Sequence, residues 1–265
     1  MELEIKNYIN AANYEDICDF SVIPPENKLV TDEFFNKNAI IFCKTDYIDY
    51  LFDNIKNSDK NYVVVTHHSD YPIDEYRFSK KPKNVKKWFA INKTNNEDSV
   101  VCIPLGLKTH KGIYLEQRYM TEWLVSEIKK LSSNKKDNLV YCNWTDTNPF
   151  RNTIISKLKG NGINFKLESN LTFDVYANNM SKCKFVISPP GNGIDCHRTW
   201  ESLYMGCVPI VIKDRIYDGW TDLPILQVND YSEITNELLE SFTNKEFKYE
   251  KLYMDYWKKL IKNSL

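Results

Sequence analysis

The sequence has few glycines, few cysteines and almost no net charge. Its 265 residues include eight glycines and seven cysteines, and 35 basic side chains balance 36 acidic ones. This balance argues against a dedicated nucleic-acid binder, which normally carries an excess of basic residues. The cysteines are scattered, odd in number and without a Cys-x-x-Cys pair. They therefore exclude a disulfide scaffold, and we expect reduced cysteines in apolar surroundings.

Long apolar runs are also missing. No stretch of 18 apolar residues occurs, so no transmembrane helix is predicted. Residues 1–6 contain neither the basic nor the apolar segment of a secretory signal. We therefore expect a soluble, cytoplasmic chain with a packed core, because 42% of its residues are hydrophobic.

The usual metal-binding patterns are absent from the sequence. No Asp-x-Asp motif occurs, and the four histidines show no His-x-x-x-His spacing (His67, His68, His110 and His197). We therefore predict no metal site and no required metal cofactor.

Short apolar runs alternate with longer amphipathic segments, and this pattern predicts an α/β fold. Strands are predicted at 39–43, 62–66, 88–91, 100–104, 139–142, 164–167, 184–188 and 208–212. Helices are predicted at 47–56, 115–131, 150–158, 172–180, 195–205, 231–242 and 247–261. Strand–helix repeats of this length favour parallel sheets, and the polar segment 132–138 is the predicted linker between two halves.

The candidate functional residues concentrate in one loop between a predicted strand and a predicted helix. Ser188, Gly191, Asn192, Gly193 and Asp195 lie in this loop. Such a loop lies at the carboxyl edge of a parallel sheet, where backbone amides at a helix start can hold a phosphate. The alternative is a plain tight turn in which Asp195 caps the following helix.

Two charged residues follow the loop on the same helix face. Arg198 and Glu201 are three residues apart, so their side chains are neighbours. Arg198 in the first turn suits a phosphate, and Glu201 suits the hydroxyls of a ribose. The alternative is an ordinary surface ion pair.

Arg151 begins another predicted helix at the same sheet edge and is a second candidate for binding a diphosphate. The alternative is an exposed arginine at a helix start without such a role.

The loop also has part of a dinucleotide-binding fingerprint. Gly191 and Gly193 follow a strand, and Asp214 comes about 20 residues later. However, Cys196 occupies the third glycine position, and the fingerprint gives Arg198 no role. An NAD(P)-dependent oxidoreductase is therefore the less favoured alternative.

Residues 185–211, FVISPPGNGIDCHRTWESLYMGCVPIV, resemble the donor-binding signature of exostosin-like glycosyltransferases. The similarity is greatest to their short soluble members in large DNA viruses and microbes. Weaker similarity extends over 141–151 and, in the first half, over 67–71, 88–92 and 103–106.

The resemblance implies a GT-B-like fold, in which two Rossmann-like lobes with parallel sheets enclose an interlobe cleft. It implies an inverting, metal-independent transfer from a nucleotide-diphosphate sugar, UDP- or GDP-linked, to a glycan or other hydroxyl acceptor. Arg198 would bind the donor phosphates and Glu201 the ribose. A viral member would act in the host cytoplasm, in glycan biosynthesis or protein glycosylation. A catalytically inactive sugar-nucleotide or glycan-binding protein remains an alternative.

We place an acceptor-side lobe at residues 1–134 and the nucleotide-sugar lobe at 135–245, with residues 246–265 as a helix packing back on the first lobe. An inverting transfer needs a base that deprotonates the acceptor. Asp70 is the first candidate, because it follows a predicted strand whose end faces the cleft, and His67 and His68 are the alternatives. Asp70 could instead only cap a turn.

Overall fold

The computed structural model describes residues 4–23, 30–108, 115–145 and 148–265, without the side chains of 115–121 and 150. Residue His110 of the sequence analysis lies outside these ranges. Two five-stranded sheets with helices around them make up the described chain. All strand pairs in both sheets are parallel, so the α/β prediction is confirmed.

The first sheet follows chain order from one edge to the other. Its strands are β1 (Phe20–Val22), β2 (Ala39–Lys44), β3 (Tyr62–His67), β4 (Val85–Ala90) and β5 (Val100–Cys102). Helix α1 (Ala11–Asp16) precedes the sheet, α2 (Ile48–Ile55) connects β2 to β3, and α3 (Glu75–Ser79) connects β3 to β4. Strands β2 and β3 are apolar on both faces, as expected of central strands in a parallel sheet.

The two faces of this sheet bury different cores. On one face Ile41 and Val64 pack with residues of α2 in a core confined to the first lobe. On the other face Ile40 and Val63 belong to a cluster that continues into the second lobe and includes Trp200. One apolar core is therefore shared by the two lobes.

The second sheet has the strand order β10-β9-β8-β6-β7. Its strands are β6 (Asn138–Asn143), β7 (Phe165–Glu168), β8 (Cys183–Ile187), β9 (Val208–Ile212) and β10 (Leu226–Val228). The helices are α4 (Leu115–Ser132), α5 (Ile154–Gly160), α6 (Phe173–Ser181), α7 (His197–Tyr204), α8 (Asn236–Thr243) and α9 (Met254–Lys262). The chain runs outward from β6 first to β7 and then, on the other side, to β8. Strands β6 and β8 therefore flank the topological switch point, where open α/β sheets bind ligands.

Tyr204 at the end of α7 ties both ends of the chain to the second lobe. Its hydroxyl accepts a hydrogen bond from the backbone N–H of Ile9 (3.0 Å) and donates one to the carbonyl of Leu252 (2.6 Å). Helix α9 contacts α1 and the short 3-10 helix Ile5–Asn7. The last helix thus lies against the N-terminal segment.

The boundaries differ from the predictions where elements are short. Strands β1 and β10 have three residues each and were not predicted, whereas the equally short β5 was predicted from the apolar run at 100–104. The helix predicted at 150–158 is a 3-10 helix, Pro149–Thr153, followed by α5. The helix predicted at 231–242 begins only at Asn236, because Thr235 caps α8 through the N–H of Leu238.

No helix in the ranges that the structure describes is long and apolar enough to cross a membrane. None of the seven cysteines, all of them described, is in a disulfide.

Candidate functional site

The predicted loop lies at the switch point of the second sheet. It follows β8 and leads into α7, and the segment with Arg151 follows the neighbouring strand β6. Carboxyl ends of parallel neighbours meet at one sheet edge, so the topology brings Arg151 and the loop together.

The side chain of Arg151 holds the backbone of the glycine loop through hydrogen bonds. Its Nε donates to the carbonyl of Pro190 (3.1 Å), its Nη2 to that of Pro189 (3.3 Å), and its Nη1 to that of Thr145. Arg151 is buried, and an ideal Cβ on Gly191 would lie 3.3 Å from Nη2. The guanidinium therefore shapes the loop, while its predicted contact with a diphosphate stays a prediction.

A cavity of about 590 Å³ opens beside α7. Its lining comes from both lobes: Leu107, Lys108, Leu124, Asn143, Thr145, Arg151, Leu171, Phe173, Tyr176, Cys196, His197, Arg198 and Glu201. The volume is within the range of small-molecule sites, roughly 300–1,000 Å³. The lining carries three basic side chains (Lys108, Arg151 and Arg198) and one acidic side chain (Glu201). This excess of positive charge favours an anionic ligand.

Arg198 is the least satisfied polar group of this cavity. Its Nε and Nη1 atoms are buried, and neither has a hydrogen-bond partner among the described residues. Burial of these two nitrogen atoms without acceptors is costly, because they have lost their hydrogen bonds to water and gained none in exchange. An anion bound in the cavity would supply the missing acceptors.

Glu201 lies one turn after Arg198 and is buried. The hydroxyl of Tyr176, on α6, donates to its Oε2 at 2.9 Å. Burial raises the pKa of Glu201, while this hydrogen bond and the charge of Arg198 oppose the rise. The carboxylate is thus held in place as an acceptor beside a cation.

Several lining residues were not identified from the sequence, among them Tyr176, Phe173 and His197. Tyr176 and Phe173 are three residues apart on α6, which follows β7 at the same sheet edge, and that spacing was the available signal. His197, at the start of α7, donates from Nδ1 to the carbonyl of Gly106 in the first lobe at 2.7 Å. It therefore connects α7 to the other lobe.

The loop residues Ser188 and Gly193 make contacts within the protein. The Ser188 hydroxyl lies 2.9 Å from Oγ1 of Thr199, so it joins the end of β8 to α7. An ideal Cβ on Gly193 would lie 3.1 Å from Nδ2 of Asn92 and 3.3 Å from Oδ1 of Asp70. Gly193 is needed for close approach of the two lobes. Asn192 beside it is exposed.

Asp195 joins the lobes through a buried carboxylate. Its Oδ2 accepts from the N–H of Leu105 in the first lobe (2.9 Å) and also from Nε1 of Trp200 (2.8 Å). Its own N–H donates to Oδ1 of Asn92 (2.9 Å). Burial raises the pKa of Asp195 to about 7, against the opposing effect of these hydrogen bonds.

The three candidate bases lie at the carboxyl end of β3. His67 is buried, its Nε2 donates to the carbonyl of Leu105 (3.2 Å), and its Nδ1 accepts from the N–H of His68 (2.8 Å). Burial holds the pKa of His67 well below its usual value, and the neighbouring His68 and His197 add to this. His68 has a left-handed backbone, with φ of 60°. Asp70 is exposed and reaches Gly193 of the loop.

Within the part of the chain that the structure describes, no three or more His, Cys, Asp or Glu side chains form a cluster suited to a metal ion.

The buried carboxylate generates a prediction about pH. In the unfolded chain Asp195 ionises near its ordinary value of 3.8, whereas in the folded protein it ionises near 7. Between these values the folded state binds the extra proton, so the free energy of unfolding should fall as the pH rises from about 4 to about 7. The contribution is roughly 1.4 kcal/mol per pH unit at most.

Urea unfolding at several pH values measures this slope. Asp195→Asn should flatten it, while the exposed Asp59→Asn should keep the parent slope. Equal slopes for all three proteins would show that Asp195 does not titrate in this range.

The close approach at Gly193 generates a second prediction. Gly193→Ala should lower the free energy of unfolding by about 1–3 kcal/mol, because Asn92 is buried, bonded to Asp195 and unable to move away. Gly160→Ala is the matched control, because nothing lies within 4 Å of its ideal Cβ. It should be neutral or slightly stabilising. Thermal unfolding of both variants measures the change in stability. A Gly193→Ala protein as stable as the parent would contradict the packing argument.

Neither the protein-family models nor the curated protein sequences give a significant match to this chain.

Proposed function

We propose that this protein is a glycosyltransferase that moves a sugar from a nucleotide-diphosphate donor to a hydroxyl of a glycan or similar acceptor. The observation that carries the proposal is the buried guanidinium of Arg198, whose Nε and Nη1 lack partners among the described residues beside a cavity of about 590 Å³. A diphosphate offers the acceptor oxygens that such a group lacks.

The neighbours of Arg198 suit the rest of a nucleotide. Glu201 is a fixed acceptor for ribose hydroxyls, and Phe173 gives an aromatic surface for a base. The start of α7, an eight-residue helix, adds a positive dipole end and backbone N–H groups. The donor proposed here is UDP- or GDP-linked.

The two-lobed architecture agrees with a GT-B-like arrangement, which we propose on the resemblance of residues 185–211. In that arrangement the second sheet carries the donor and the first sheet faces the acceptor. The cavity lining supports this division, because most of it is from the second lobe while Leu107, Lys108 and Leu124 come from the first.

In the proposed reaction a base removes the proton from the acceptor hydroxyl. The acceptor oxygen then bonds to the anomeric carbon from the face opposite the diphosphate, and the bond from that carbon to the diphosphate oxygen breaks. The nucleoside diphosphate leaves with the bonding electrons, and Arg198 offsets its charge. The configuration at the anomeric carbon is inverted.

Asp70 is the base that we propose. It is an exposed carboxylate within contact of Gly193, so an acceptor hydroxyl can reach it next to the donor loop. Both ring nitrogens of His67 are bonded to backbone groups, which makes His67 the least suitable of the three candidates. His68 remains the alternative.

The oxidoreductase alternative fits the loop less well. In a dinucleotide site the glycines let the pyrophosphate approach the backbone. Here the space beside Gly191 is taken by Arg151, and the space beside Gly193 by Asn92 and Asp70. A catalytically inactive sugar-nucleotide binder would share the donor site, and only turnover separates it from an enzyme.

The donor site is tested by removing the guanidinium. Arg198→Ala should weaken binding of UDP or GDP by about 10- to 150-fold, because a charge-assisted contact contributes roughly 1.5–3 kcal/mol. Isothermal titration calorimetry measures the affinity, and the exposed Arg215→Ala is the matched control. If the parent binds NAD but neither diphosphate, or if Arg198→Ala binds like the parent, the donor site is misplaced.

Turnover tests the base. Asp70→Asn should lower the rate by about 10²–10⁴-fold, because the amide cannot take up the acceptor proton. Donor affinity should hardly change, since Asp70 is not among the residues that line the donor cavity.

The assay is run in excess EDTA, with Asp59→Asn as the control, because the proposed mechanism uses no metal. Full activity of Asp70→Asn together with an inactive His68→Gln would assign the base to the histidine. Loss of all activity in EDTA, restored by manganese, would contradict the metal-free reaction.

A further inference from the structure

Lys108 brings a positive charge from the first lobe to the donor cavity. The first lobe contributes Leu107, Lys108 and Leu124 to the described lining of this cavity, and of these three Lys108 is the charged one. Arg198 of α7 lines the same cavity from the second lobe. Two cations from different lobes therefore border one space.

The backbone that leads to Lys108 is bonded to the second lobe. The N–H of Leu105 donates to Oδ2 of Asp195 at 2.9 Å. The carbonyl of Gly106, the next residue, accepts from Nδ1 of His197 at 2.7 Å. These two hydrogen bonds hold the segment against the start of α7, which carries Arg198.

Gly106 and Leu107 fix the last step of this path. Gly106 has a φ of 68°, in the left-handed region, and an ideal Cβ there would overlap the carbonyl oxygen of Ile9. The N–H of Leu107 donates to that same oxygen at 2.8 Å. The backbone before Lys108 is thus already ordered, so binding a ligand at this position costs mainly the entropy of the lysine side chain.

The charge of Lys108 acts inside the cavity. The pKa of Glu201, which lies one turn after Arg198, shows this effect. Burial raises this pKa, while the hydrogen bond from Tyr176 lowers it. The charge of Arg198 and, more weakly, that of Lys108 also lower it. Lys108 and Arg198 therefore act on the same carboxylate from opposite lobes.

Two like charges that border one cavity repel each other, and an anion between them would replace this repulsion by two attractions. Arg198 offers a guanidinium with two buried nitrogen atoms that have no acceptor among the described residues. Lys108 offers an ammonium group with three donors. A diphosphate suits both, because its several oxygens can accept from a guanidinium and from an ammonium group at once.

We propose that an anionic group bound in this cavity is held from both lobes, by Arg198 on α7 and by Lys108 of the first lobe. The inference rests on the proposed donor site and adds a binding residue to it, since Lys108 contacts the diphosphate of the donor. The donor is then bound between the lobes and not by the second lobe alone.

Three probes test Lys108 through its charge. They are UDP or GDP, whichever the parent binds, the matching nucleoside without phosphate, and inorganic pyrophosphate. Lys108→Gln should weaken binding of the diphosphate and of pyrophosphate by about three- to tenfold. The loss should be smaller than in Arg198→Ala, because Lys108 is exposed and its charge is screened by water and salt.

Isothermal titration calorimetry measures the two anions, and saturation-transfer NMR measures the nucleoside at millimolar concentration. The nucleoside should bind Lys108→Gln like the parent, because it has no charge for the lysine to attract. Lys108→Arg should retain the affinity for both anions. Raising the salt concentration to about 0.5 M should reduce the effect of Lys108→Gln.

Lys86→Gln is the matched control, since Lys86 is an exposed lysine of the first lobe that lies on β4 and not in the cavity lining. It should bind all three probes like the parent. The inference is overturned if Lys108→Gln binds the anions unchanged. It is also overturned if Lys108→Gln loses nucleoside and diphosphate affinity equally, because the substitution would then act on the shape of the cavity.

The same measurements separate this inference from the donor proposal. If Arg198→Ala loses diphosphate affinity and Lys108→Gln does not, the donor proposal stands and the inference fails. If the parent binds pyrophosphate through both residues but neither nucleoside diphosphate, the donor proposal fails and the two-lobe anion site stands. If the parent binds none of these anions, both are overturned.

Discussion

The carboxylate of Asp195 is the interaction on which the arrangement of the site depends. It accepts hydrogen bonds from Leu105 in the first lobe and from Trp200 on α7, and its own N–H donates to Asn92. One residue therefore fixes the end of the glycine loop, the start of α7 and the distance between the lobes. Because the group is buried, its charged form is costly, and only the surrounding donors make it acceptable.

The close approach of the lobes follows from this connection. With Asp195 bonded to Asn92, Gly193 lies directly against Asn92 and Asp70, where a side chain would be crowded. The apolar core that the two lobes share also keeps them close together. It includes Trp200 of α7, and the two hydrogen bonds of the Tyr204 hydroxyl add to it. The cavity beside α7 is consequently lined by both lobes.

Arg198, which lines that cavity, has fewer hydrogen-bond partners than the polar residues around it. Arg151 has carbonyl partners, Glu201 has Tyr176, and Asp195 has three hydrogen bonds, whereas Arg198 keeps two buried donor atoms without partners among the described residues. A folded chain retains such a cost where a ligand offsets it. The difference between these satisfied residues and the unsatisfied cation supports our proposal that Arg198 binds the ligand.

The sequence by itself determined the repeating strand–helix pattern, the position of the glycine loop after a strand and the shared helix face of Arg198 and Glu201. These are local properties, set by periodicity over a few residues. Two of the strands with three residues, β1 and β10, gave too weak a signal to be predicted, whereas β5 lies in a longer apolar run and was predicted.

Only the tertiary structure decided the contacts between distant parts of the chain. The bonds of Asp195 to Leu105 and Asn92 span 90 and 103 residues, so no local pattern announced them. A helix cap was the alternative role for Asp195, but Cys196 holds the cap position and the Asp195 carboxylate binds the other lobe instead. Gly193 was predicted as a phosphate-loop glycine, and the structure adds that the first lobe packs closely against it. The same residue type can stabilise a turn, bind a ligand or pack at an interface. Long-range packing therefore decides which of these roles a given residue has.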